Sequence, residues 1–257
     1  MTSTIGAEMN TVDLELTGSV ATLTLGTGER LNAMGRAEWR DLGRAAAELA
    51  ARDSLRAVVI RGRGGMFCAG SDLREWDGVD AGEISASFAE METALQAVED
   101  LAVPTVAVLE GVAAGGGCQL ALACDLQLTA QSARIGMPVA RLGILVPASF
   151  ANRLSLRVGP SRAKDLLYSG RLLTAQQAVE MGLITTVIAD DGVEAALESL
   201  LTGWEGLSAA SLRASKAAVD RGLQPVSGPA RREPQGLASD PREFSARVSA
   251  FLHRRRR

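Results

Sequence analysis

The chain has 257 residues, of which 47% are apolar, and a formal net charge of −3. That is enough apolar material for one large domain, or a main domain with a smaller appendage. The charge gives no general attraction to nucleic acid, and no apolar run reaches the ~18–20 residues that cross a bilayer.

The opening MTSTIGAEMN lacks a basic region and a signal-like apolar stretch, which places the expected protein in the cytoplasm. Next, TVDLELTGSVATLTLG alternates apolar and polar residues across a Gly-Ser turn, predicting a hairpin over Thr11 to Leu25. The stretch GRAEWRDLGRAAAELAAR sets Trp39, Leu42, Ala46 and Leu49 at helical spacing. LRAVVIRG then reads as a buried strand, followed by a glycine-rich loop and a long amphipathic helix, EISASFAEMETALQAVEDL, stopped near Pro104. TVAVLEG is the next buried strand, and after a second glycine-rich turn come a short helix, the strand DLQLTA, and helical pieces around Pro147–Arg157 and Ser161–Tyr168. TAQQAVEMG carries a Thr N-cap and a Gly stop before the strand LITTVI. Beyond Asp191 the pattern is helical, except for Leu223 to Pro241, which is too rich in Pro and Gly for a continuous helix. Strands alternating with helices predict an α/β fold over residues 1–191, with residues 192–257 forming a separate helical layer.

Cys68, Cys118 and Cys124 are odd in number and lack CxxC spacing, which argues against a zinc site or a disulfide framework; they read as small core residues. Two glycine-rich stretches hold more chemistry: RGRGGMFCAGSDLREW after the first buried strand, and GVAAGGGCQLALACDL after the second. Glycine lets a backbone approach a ligand and present its N–H groups, which at a helix start also carry the positive end of the dipole. One N–H from each stretch, converging, would make an oxyanion hole. A dinucleotide fingerprint is not met, because Phe67 stands where the third glycine is needed, and no Walker lysine is present.

FCAGSDL (Phe67–Leu73) followed by GVAAGGGCQLALACDL (Gly111–Leu126) resembles the paired signature of the enoyl-CoA hydratase/isomerase, or crotonase, superfamily. The likeness extends from about Asp13 to Ile188 and resumes weakly in the final REFSARVSAFLHRRRR. It implies a spiral of ββα repeats with a helical C-terminal region, a homotrimer or dimer of trimers, and a coenzyme A thioester as substrate or ligand, with no separate cofactor and no metal. By position, the oxyanion-hole N–H groups fall on Ser71 and Gly116. The backbone of Cys68, Ala69 and Gly70 falls against the adenine and pantetheine parts of CoA, and Asp72, Leu73, Gly115 and Val139 complete the substrate- and CoA-binding set.

The resemblance also marks a departure. Hydratases of this family use two glutamates, and the corresponding positions here are Gln119 and Val139, neither of which can move a proton. Glu75 and Asp77 are the nearest substitutes in sequence, although a solvated face suits them as well. Asp72 suits a loop-shaping role, and Glu110 and Asp125 suit bonds to turn backbone. His253 is the only histidine for a triad with Ser71. Trp39, Trp76 and Trp204 read as packing residues, with Trp76 placed to line an acyl pocket. Lys216 and Arg254–Arg257 offer charge for CoA phosphates. The expected function is enolate stabilisation on an acyl-CoA, compatible with reactions of low acid–base demand such as some decarboxylations or retro-cleavages. The alternative is a catalytically silent acyl-CoA carrier.

Overall fold

The computed structural model describes the backbone of residues 3–4, 12–227 and 243–254. Strands β1 (Ser3–Thr4), β2 (Val12–Thr17) and β3 (Val20–Leu25) form an antiparallel ribbon, as the alternating pattern requires, with Thr11 outside the described residues. Helix α1 (Arg36–Ala50) buries Trp39, Leu42, Ala46 and Leu49. It is followed by β4 (Ala57–Gly62), α2 (Ala81–Glu99), β5 (Thr105–Leu109), β6 (Val112–Ala114), α3 (Gly116–Ala123), β7 (Leu126–Ala130) and β8 (Arg134–Gly136). Then come α4 (Ala148–Val158), α5 (Pro160–Ser169), β9 (Leu172–Thr174), α6 (Ala175–Met181) and β10 (Thr186–Ile188). Three further helices close the described chain: α7 (Val193–Glu205), α8 (Ala209–Ser227) and α9 (Phe244–Arg254).

The main sheet has the order β1-β2-β3-β4-β5-β7-β10 and is parallel from β3 onward. Its inner strands lack alternation because both faces are covered. On one face Val58, Ile60, Ala107 and Leu109 join the core with Trp39 and Leu95; on the other, Val59, Val106, Val108 and Leu128 pack with Val193 and Leu197 of α7.

A second sheet, β6-β8-β9, was not foreseen. Its three-residue strands are too short to carry a period. It nevertheless sets the architecture. The chain passes from a strand of the large sheet to a strand of the small one and then to a helix, as in β5-β6-α3, so the repeat is a ββα spiral turn. Cys68 joins that small sheet through a bridge to Ala113. A correction applies at the other end: α8 continues to Ser227, five residues into the stretch expected to be irregular, and the rest of that stretch up to Pro241 lies outside the described residues.

The turn before α1 is strained. Arg30, Leu31 and Asn32 have φ values of 51°, 57° and 53°, a left-handed run that costs free energy in residues other than glycine. Asn32 holds it: its amide donates to the carbonyls of Arg63 and Met66 and accepts from the Gly28 N–H, while the Leu31 carbonyl accepts from the Ala69 N–H. This buried side chain thus ties the turn to the loop after β4. Asn32→Ala is expected to cost about 2–4 kcal/mol in urea denaturation, and a loss below about 0.5 kcal/mol contradicts this role.

Candidate functional site

The loop after β4 and the turn before α3 are stitched together by backbone. Cys68 N–H donates to the Val112 carbonyl at 2.9 Å, and Ala114 N–H donates to the Cys68 carbonyl at 3.1 Å. Three residues on, Met34 bridges Ser71: its N–H donates to the Gly70 carbonyl, and its carbonyl accepts from the Asp72 N–H. In such a parallel bridge the N–H of the central residue points away from its partner, so that of Ser71 faces away from Met34.

The glycines answer to this close approach. A Cβ on Gly70 would lie 2.6 Å from the Ala114 carbonyl oxygen and 3.1 Å from the Gly116 nitrogen. One on Gly117 would meet the Cys68 carbonyl oxygen at 2.0 Å. One on Gly116 would meet Met91 Sδ at 2.7 Å and the Trp39 ring at 2.9 Å. The two segments can meet only if these positions have no side chain.

Four neighbouring N–H groups are already committed. Gly70 donates to Cys68 Sγ, Asp72 to Met34, Ala114 to Cys68 and Gly115 to Gly136. Among the described residues, the N–H groups of Ser71 and of the first turn of α3, Gly116 to Cys118, have no acceptor. Gly116 is the first residue of α3, so its N–H also carries the positive end of the helix dipole.

The side chains around this point are neutral. Gln119, fully buried, accepts at Oε1 from Arg153 Nη1 at 3.0 Å, and its Nε2 lies 3.4 Å from the Phe150 carbonyl oxygen and 3.5 Å from Met137 Sδ. Val139 is buried in a 3-10 turn, Pro138–Leu142. Arg153 is only 8% exposed and spans helices: Nε and Nη2 hold Glu99 at 2.6 and 2.9 Å, and Nη2 holds Glu92 at 3.0 Å. Burial opposes its charge, yet Glu99 and Glu92 outweigh that and keep its pKa above the ordinary arginine value.

The other acids have structural partners. Glu75 accepts from the Arg36 N–H at 2.9 Å and so caps α1; the loop does not direct it at a ligand. Asp77 is exposed at the end of the turn Leu73–Trp76. Asp72 caps that turn through the Arg74 N–H and pairs with Arg30 at 2.8 Å. Glu110 meets Arg61 at 3.4 Å rather than backbone, whereas Asp125 does accept from the Thr105 N–H at 2.7 Å. Lys216 corrects the phosphate expectation: it is 3.0 Å from Asp125, just beyond the C-terminal end of α3, and 3.3 Å from the Val103 carbonyl oxygen. His253 is exposed on α9, and the Ser71 hydroxyl contacts Met91 Sδ at 4.0 Å. Arg255 to Arg257 and the Arg254 side chain lie outside the described residues. Burial pushes the thiols of Cys68 and Cys118 up to about 12, so both are inert core groups. Burial and then Asp125 raise Cys124 as well.

Arg153 and Met91 were not foreseen. Arg153 had one trace in the sequence: it falls on the apolar stripe of α4 with Phe150, Leu154 and Val158, where a cation needs a buried partner. Met91 is one of several apolar residues of α2, and nothing in the sequence singles it out.

The model of the enoyl-CoA hydratase/isomerase family matches residues 15–248. The chain belongs to that family. It is 32% identical to a probable enoyl-CoA hydratase of Rhizobium meliloti over 83% of this chain and 82% of that one. Its fold is also that of an enoyl-CoA hydratase/carnithine racemase from Magnetospirillum magneticum (TM-score 0.81, 28% identity, 88% of this chain and 85% of that one). An enoyl-CoA hydratase from Mycobacterium avium subsp. paratuberculosis K-10 superposes with TM-score 0.84 at 25% identity, over 95% of this chain and 96% of that one. The ββα spiral with its helical C-terminal region is thus the crotonase fold. No helix among the described residues is long and apolar enough to cross a membrane.

In this enoyl-CoA hydratase/isomerase family member, Arg153 joins α2, α3 and α4. Arg153→Met is expected to cost about 2–4 kcal/mol because two carboxylates lose their partner, and adding Glu99→Gln should recover part of it. Thermal and urea unfolding of the single and double variants check this; a neutral single variant contradicts it.

Proposed function

We propose that the chain binds an acyl-CoA thioester and stabilises the enolate oxygen of that thioester with the backbone N–H groups of Ser71 and Gly116. The observation that carries this reading is that the Ser71 N–H and the first N–H of α3, at Gly116, both lack an acceptor, at a point where Gly70 brings their backbones together. Removing one donor from such a hole typically costs 10²–10³-fold in rate, roughly, so two fixed donors are a substantial catalytic asset. The family's hydratase and isomerase relatives support the thioester as ligand.

The backbone of Cys68, Ala69 and Gly70 is assigned to the adenine and pantetheine arm, and Asp72, Leu73, Gly115 and Val139 complete the substrate- and CoA-binding set. CoA arrives as part of the substrate, with no further cofactor. An assembly of three or six copies in the cytoplasm completes the reading. Its support is α8, a 19-residue helix with no buried side chain among those described. Such a helix gains little from its own subunit.

Gln119 and Val139 leave the site without a proton carrier at the two positions where the resemblance places one. The Gln119 amide, held by Arg153, favours a second reading in which the thioester is bound and passed on unchanged. Exchange of α-protons in D₂O separates these, with crotonyl-CoA and a 3-enoyl-CoA as probes. The wild-type protein should bind both without accelerating exchange. Gln119→Glu, which puts a carboxyl group at the vacant position, should gain exchange on the order of 10²-fold. Exchange by the wild type would place a base elsewhere. Bound thioester with no gain in the variant would favour the carrier.

A further inference from the structure

A cluster of aromatic rings drawn from four parts of the fold lies next to the candidate site. Gln119 lies one turn beyond Gly116 on α3, and its amide reaches the Phe150 carbonyl of α4. From the opposite side, Met91 of α2 abuts both the Ser71 hydroxyl and the position a Gly116 side chain would occupy. Phe88 stands one turn before Met91 on the same buried face of α2.

Phe88 stacks on Trp76 with centroids 5.3 Å apart at 25°, and meets Phe150 at 6.0 Å and 42°. Trp76 in turn meets Phe244 of α9 at 5.8 Å and 47°. The Trp76 indole N–H donates to Ser87 Oγ at 3.2 Å, which fastens the turn Leu73–Trp76 to α2. The four rings are 4%, 7%, 2% and 3% exposed for Trp76, Phe88, Phe150 and Phe244, so the cluster is closed. Rings packed against one another yield less readily than a lone flexible side chain.

We infer that this cluster stops the acyl chain, making the protein selective for short acyl groups, with Phe88 and Phe244 as the specificity-determining residues. The inference rests on the acyl-CoA reading above. Met91 and Phe88 are one helical turn, ~5 Å, apart along α2, so a chain passing Met91 would reach the Phe88 ring after about four carbons. Phe244 gives the C-terminal helix a part in this wall: α9 packs against the turns Leu73–Trp76 and Pro138–Leu142, which flank the site.

Calorimetric titration with CoA, acetyl-CoA, butyryl-CoA and octanoyl-CoA tests the inference on the wild type, Phe88→Ala and Phe244→Ala. Wild-type affinity for octanoyl-CoA should be at least about tenfold weaker than for butyryl-CoA. Either variant should narrow that gap about tenfold while leaving acetyl-CoA unchanged. Equal wild-type affinity for butyryl- and octanoyl-CoA overturns the inference, even if a variant fails to fold. Binding of butyryl- and octanoyl-CoA with the expected gap, but no change in Phe244→Ala and in Phe88→Ala, removes these two residues from the role. If no thioester binds at all, the acyl-CoA reading falls and this inference with it.

Discussion

The structure depends on the approach of two backbones. The Cys68–Ser71 segment and the Ala114–Gly117 segment lie so close that a methyl group on Gly117 would sit 2.0 Å from a carbonyl oxygen. Side-chain-bearing residues at these positions would push the segments apart, and with them the two N–H groups that face outward without an acceptor. The surrounding fold serves this contact. The small sheet takes in Cys68 beside β6, the left-handed turn at Arg30–Asn32 supports the loop from behind, and α3 begins where its first N–H is needed. Backbone donors held this way need no reorganisation when charge appears, which is why such sites favour glycine-rich turns over flexible polar side chains.

Much of this was legible in the chain. The order of strands and helices followed from buried apolar runs and helical spacing. The glycine motifs flagged the approach, because three adjacent glycines at the head of an apolar helix have no packing benefit of their own. Other features were not legible. The small sheet is made of three-residue strands with no detectable period. The role of Glu75 as a cap on α1 depends on a partner 39 residues away, which local pattern cannot supply. Lys216 read as a free cation, yet it is drawn to Asp125 by the packing of α8. Helix α8 outlasted its breakers, since one proline removes one hydrogen bond and leaves the preceding turns intact.

The neutrality of the site has its own cause. Arg153 is charged and nearly buried, and the cost of burying it is met by Glu92 and Glu99, with Gln119 completing its donors. An amide at position 119 satisfies that geometry without adding a third carboxylate to one guanidinium. Here Gln119 serves the joining of three helices. On the proposed acyl-CoA reading, the ligand meets backbone donors set against apolar walls.

The most direct test of that account is the carbonyl stretch of a bound thioester. Isotope-edited infrared difference spectra of butyryl-CoA, labelled with ¹³C at the thioester carbon, report the polarisation of that one bond. Two N–H donors should move the band to lower frequency than in water, and Ser71→Ala, which keeps its N–H, should leave the shift in place. A bound carbonyl absorbing at or above its frequency in water would contradict the oxyanion hole, because it would mean that the thioester lies against apolar wall alone.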